Sequence, residues 1–220
     1  MQYNYNHIFL ENRQISNTSA IHWSCFTAMA IGIVWIFTLF HIISVPAPAF
    51  QFMAPVSIFI LLLPAVINHL MHRSDILLVG SKGINLLTGL ILGCNLTAVF
   101  LLSSTLSHYT SIIWLLPALI ACQYYSRRIT SHIFWGGLAG MILSFYASIY
   151  LGSQDMNLSD LSIVSGDFTA ASIGKALVYL IPQLLIYCAA YPLFMNITKR
   201  TELLMKKQKL SMLAYQAKQT

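Results

Sequence analysis

The sequence predicts an all-α fold: a polytopic membrane bundle of six transmembrane helices, N-in and C-in, with a cytoplasmic helical extension of the last span. Three observations carry that expectation. Apolar stretches at 21–45, 50–71, 84–102, 109–125, 129–151 and 173–195 each approach the ~20 residues that cross a hydrocarbon core as a helix. The chain is 57% hydrophobic and 8% charged, whereas soluble domains carry about 25% charged residues. Finally, with the N-terminus inside, the inner segments hold Arg13, Arg73, Lys82, Arg127, Arg128, Lys199, Arg200, Lys206, Lys207, Lys209 and Lys218, leaving only Lys175 of the Lys and Arg residues outside. Short cytoplasmic loops are enriched in Lys and Arg, so the opposite orientation is disfavoured.

The first 20 residues are polar and form a cytoplasmic segment, 1–20, with no cleavable leader pattern, so the first span serves as its own insertion signal. The transmembrane domain occupies 21–197. Span one carries Ala28 and Gly32, a small-x-x-x-small ridge suited to close helix approach, and ends near His41 at the outer face. Span two follows a tight Pro-rich turn and contains Pro64, which removes a backbone hydrogen bond and loosens the helix. At its inner end His69 and His72 share a face, but no acidic partner accompanies them and no metal is expected there.

Span three carries a second ridge, Gly89 and Gly93, and a mid-depth amide, Asn95. Span four brings Trp114 and a mid-depth Pro117; span five has the ridge Gly136 and Gly140. Either these ridges pack helices within one chain or one of them serves a homodimer. The outer loop 152–172 holds Asp155, Asp160 and Asp167, but Asp160 and Gly166 stand where a calcium loop needs Gly and Glu. Span six contains Tyr179, Pro182 and Gln183, the last at a depth similar to Asn95. The two amides either share a pocket or each hydrogen-bond a neighbouring helix. Three Pro-interrupted helices beside Asn95, Trp114, Tyr179 and Gln183, with His41 at the outer rim, favour a ligand cavity.

Neither Gly nor Pro follows Leu193, so the last helix is expected to continue through 198–220 as a cytoplasmic linker helix. Leu203, Leu210 and Ala217 repeat every seven residues, the start of a parallel coiled-coil seam; the other reading is a basic helix lying on anionic inner-leaflet lipid.

Several classes are excluded by what the spans lack. No Asp, Glu, Lys or Arg lies mid-span, which argues against proton pumps and voltage sensors. There is no H-E-x-x-H, no G-x-S-x-G and no intramembrane aspartate pair, so no catalytic residue is assigned and the chain is not read as an enzyme. The four cysteines form no C-x-x-C pair, and no cofactor is expected. The net charge of +6 is divided among loops by membrane spans, which excludes nucleic acid as a partner.

The segment LLPALIACQYYSRRIT at 115–130 resembles a turn in the multi-span input modules that precede GGDEF diguanylate cyclases and sensor histidine kinases in bacteria. The resemblance rests on Pro117, Tyr124, Tyr125, Arg127 and Arg128 together with the hydrophobic pattern of spans three to six. It implies a sensory domain of the bacterial cytoplasmic membrane that binds a small or amphipathic ligand and transmits a helix rearrangement to a cytoplasmic output domain. Membrane lipids, a second copy of the chain and that output domain are the partners it implies. The alternative is a six-span substrate-binding subunit of a vitamin importer, and a third reading is an assembly factor of a membrane complex; the long basic tail discriminates against the importer.

Overall fold

The computed structural model describes residues 2–43, 49–73, 81–106, 112–150 and 170–219. The side chains of some helical residues, Tyr179 and the seam residue Ala217 among them, fall outside that description, as does most of the expected loop 152–172. The helices are α1 (Gln2–Leu39), α2 (Phe50–Arg73), α3 (Ser81–Leu106), α4 (Leu115–Cys122), α5 (Arg127–Tyr150) and α6 (Ala170–Gln219).

Asn12–Leu39, Phe50–Arg73, Lys82–Leu106 and Leu180–Gln208 are long and apolar enough to cross a membrane. Phe26, Met29, Phe52, Phe59, Leu185 and Leu193 stand 64–74% exposed on their outer faces, a burden of apolar surface that water would not tolerate and lipid covers. Hydroxyls inside the helices fold back onto their own backbone, as in Thr27 to Trp23 O, Ser57 to Met53 O and Thr97 to Gly93 O. This is how a polar group is satisfied where no water is available. The chain is an all-helical membrane protein.

α3 is the hub, in contact with α1, α2, α4 and α5, while α6 packs on α4 and α5. α1 and α3 run parallel: Asn17 pairs with Thr88, and one heptad further along each helix Ser24 pairs with Asn95. A constant register over seven residues is the shallow, coiled-coil-like crossing of helix bundles. The seam is closed around these pairs by Ala20, Ile21, Leu87, Ile91 and Leu92.

Two boundaries differ from expectation for physical reasons. α1 is already helical well before residue 21, because its polar residues find partners: Ser16 donates to Gln123 O at 2.9 Å and Asn17 to Ile84 O at 3.3 Å. It stops at Leu39, earlier than 45, through a Schellman cap. Ile42 N donates to Phe37 O and His41 N to Thr38 O, with His41 in the left-handed region at φ 55°. The expected fourth span, 109–125, contains an α-helix of eight residues preceded by a 3₁₀ turn. At ~1.5 Å per residue α4 is about 12 Å long, far short of a ~30 Å hydrocarbon core. It ends because Tyr125 takes φ 52°, and Ser126 then opens α5, its Oγ accepting from Ile129 N at 3.5 Å.

Prolines divide into two groups. Pro117 lies in the first turn of α4, where its missing N–H had no partner to lose, so it does not interrupt that helix. Pro64 and Pro182 do lie inside α2 and α6, as do Pro55 and Pro192. Pro55 frees the carbonyl of Gln51, and Trp35 Nε1 of α1 donates to that oxygen at 3.1 Å.

Candidate functional site

The site is an open groove of about 220 Å³ between α3, α5 and the turn before α4, lined by Leu96, Thr97, Phe100, Trp114, Gly136 and Gly140. Trp114, one residue before α4, is 1% exposed, and its Nε1 donates to Ser103 Oγ of α3 at 2.8 Å. The indole lies flush against α5 because Gly140 has no side chain: a Cβ there would stand 2.6 Å from Trp114 Cη2. Next to it, a Cβ on Gly137 would overlap the Tyr187 hydroxyl. That hydroxyl donates to Phe134 O at 3.1 Å, and the Tyr187 ring stacks on Phe134 with centroids 4.4 Å apart. Gly136, on the α3 side of α5, meets only Leu96 Cδ1 at 3.7 Å from a built Cβ. The two glycines therefore act differently: Gly140 admits the indole, and Gly136 leaves the space unfilled.

The chemistry of the lining is apolar. Its polar side-chain donors are spent, Trp114 Nε1 on Ser103 and Thr97 Oγ1 on Gly93 O at 2.9 Å. A larger depression of about 460 Å³ runs along Gln14, Ile15, Thr18, Ser19 and His22. It has no second wall among the described residues, all its lining coming from α1.

The sequence-nominated residues are distributed unevenly. Trp114, Gly136 and Gly140 converge on the cavity. Asn95 is fully buried on the other face of α3, its Nδ2 donating to Ser24 Oγ and Ile91 O, both at 2.8 Å, while Oδ1 accepts from no described residue. Gln183 is half-buried on α6. His41 forms the α1 cap described above. Gly89 and Gly93 are exposed on α3, with nothing within 4 Å of a built Cβ. Sequence reasoning missed Gly137, Tyr187, Leu96, Thr97 and Phe100. A signal for the first two was present: Gly137 precedes Gly140 by three, and Tyr187, Tyr191 and Phe194 repeat at helical spacing. Among the described residues no group of three His, Cys, Asp or Glu side chains converges on a metal position.

At the opposite end of α4 lies a second cluster. Cys122 Sγ approaches Phe194 O at 3.8 Å, Thr130 and Thr198 hydroxyls meet at 3.2 Å, and Arg127 Nε donates to Glu202 at 3.1 Å. Glu202 also accepts from Lys206 at 2.9 Å. The pair is solvent-exposed and contributes little to stability. Its value is positional: it grips α6 beyond the apolar core. The gripped face of α6 is continuous, since Leu180, Leu184, Tyr187, Tyr191, Phe194, Thr198, Thr201 and Met205 are buried or half-buried at alternating steps of four and three. α6 runs 50 residues, about 75 Å at ~1.5 Å per residue, without a break.

Fold and site together define an all-helical membrane bundle with an apolar cavity at one end of a short helix and a polar grip on a long helix at the other. No protein-family model matches the chain, and comparison with the curated proteins and with the solved structures gives no match.

Proposed function

We propose that the chain is a membrane-embedded sensory input domain of a bacterial signal-transduction protein, which binds a small or amphipathic ligand and passes a helix rearrangement to a cytoplasmic output domain of the cyclase or kinase kind. In this reading it crosses the cytoplasmic membrane six times with both ends inside, α4 and its flanking residues forming the fourth crossing, and works as a homodimer whose α6 extensions run side by side. The observation that carries it is the double attachment of α4. One end borders the cavity through Trp114, and the other is bonded to α6 at Phe194, with Thr198 and Glu202 held by the adjoining turn and start of α5. A ligand that prefers one packing of Trp114 against α5 shifts the population of that packing, and α6 carries the shift outward.

The importer-subunit alternative leaves the α6 extension without a use. The test is a fusion of a diguanylate cyclase domain after Thr220, assayed in membranes. Gly136→Val and Trp114→Phe should change its output at least several-fold, while Gly89→Ala, about two helical turns along α3 from Leu96, leaves it unchanged. Output indifferent to both cavity variants contradicts the sensory reading.

A further inference from the structure

We infer that the cavity beside Trp114 takes a hydrocarbon segment of a membrane-dissolved amphiphile, entering sideways from the lipid. The inference deepens the sensory reading, on which it rests for its purpose, by naming the chemistry of the input.

Three properties of the cavity lead there. A polar group placed in it finds few partners: the Trp114 and Thr97 donors are used on Ser103 Oγ and Gly93 O, which leaves the Thr97 oxygen as an acceptor among the lining side chains. An unpaired polar group costs roughly 2–7 kcal/mol, which disfavours sugars, amino acids and ions, whose several polar groups exceed what one acceptor satisfies. The volume, about 220 Å³, exceeds the ~150 Å³ apolar void that holds one benzene and falls below the ~300 Å³ at which pockets for whole drug-sized molecules begin. It therefore fits a tail, not a whole ligand. The mouth lies along α3, where Thr97 lines the cavity and is itself exposed, one turn from exposed Gly93, within an apolar helix long enough to cross a membrane. A tail dissolved in the bilayer reaches that mouth without passing through water.

Gly136 decides the fit. A methyl group there meets Leu96 at an ordinary 3.7 Å, so substitution at Gly136 fills the void without displacing Trp114. The experiment uses the full chain in lipid nanodiscs, a palmitate analogue carrying a photoreactive diazirine near its terminal methyl, and mass spectrometry of the labelled peptides. The expected result is saturable labelling at Leu96, Phe100 or Trp114, competed by unlabelled palmitate. Gly136→Val should weaken it about tenfold, the loss of roughly two buried CH₂ contacts, while Gly89→Ala binds as the parent does. Leu96→Phe fills the same space from the opposite wall and serves if Gly136→Val does not fold. Labelling that never saturates and spreads evenly over the exposed faces of α1, α2 and α6, or that survives both filling variants, overturns the inference. The readout needs no output domain, so binding with a silent cyclase fusion refutes the sensory reading alone, and signalling without saturable labelling refutes this inference alone.

Discussion

α3 meets α1 on one side and α5 on the other, and the two contacts are built from opposite materials. Against α1 it sets buried polar groups, Thr88 and Asn95, each answered by Asn17 or Ser24 at hydrogen-bond distance. Against α5 it sets Leu96, Thr97 and Phe100 opposite glycines, and an open groove remains. In a bilayer, lipid is as apolar as the helix faces, so helices associate by close packing and by polar contacts that lipid cannot offer. The α1–α3 seam uses the polar contacts and fixes a parallel register. The α3–α5 contact leaves room beside Trp114, whose own position depends on one missing methyl group at Gly140. One side is suited to holding the bundle together and the other to being altered by something that enters it.

The sharpest break in that contrast is expected at the tight glycines. Gly140→Ala drives a methyl into the indole and Gly137→Ala into the Tyr187 hydroxyl, overpacking of the kind that costs roughly 1–3 kcal/mol and sometimes more. Gly136→Ala, with an ordinary contact available, should stay within about 0.5 kcal/mol of the parent. Chemical unfolding in detergent micelles measures all three, and equal losses would mean that Gly140 does not accommodate the indole as described.

A smaller effect is expected in the seam. A double-mutant cycle of Ser24→Ala and Asn95→Ala should return a coupling of about 0.6 kcal/mol, the average for hydrogen bonds between membrane helices. Zero coupling, measured by the same unfolding assay, would demote the pair to an incidental contact.

The smallest effect lies at the end of α1. His41 occupies the left-handed capping position, which costs an L-residue about 1 kcal/mol relative to Gly. His41→Gly should therefore stabilise the protein slightly and leave tail binding alone. A loss of labelling in that variant would return His41 to the list of ligand-binding residues.

What the sequence disclosed was depth, and what it withheld was direction. Apolar length located the helices, apart from the fourth expected span, which holds only the eight-residue α4. Around the helix axis these spans are apolar on every side, so hydrophobic periodicity cannot say which way a residue faces. Asn95 accordingly turns to α1, away from the cavity, while Thr97, two residues on, lines it. Trp114, Gly136 and Gly140 were legible because a large ring and small residues at i, i+4 advertise close packing on their own. Gly137 had its spacing to Gly140 as a signal, but its partner Tyr187 lies fifty residues further along on another helix, which spacing alone does not name. The polar stretch before residue 21 looked like a surface segment, yet it is helical because Ser16 and Asn17 find partners at Gln123, just after α4, and at Ile84 on α3 that no local pattern reveals.

The most direct test of the account is a distance across the far end of the bundle. Spin labels at Ile15 on α1 and Leu204 on α6, both exposed, with exposed Cys188 replaced by Ser, report how α6 sits relative to the seam. Filling the cavity with palmitate should shift the distance distribution in the parent protein and leave Gly136→Val unmoved. An identical distribution with and without palmitate, in a protein that demonstrably binds it, would contradict the coupling of the cavity to α6.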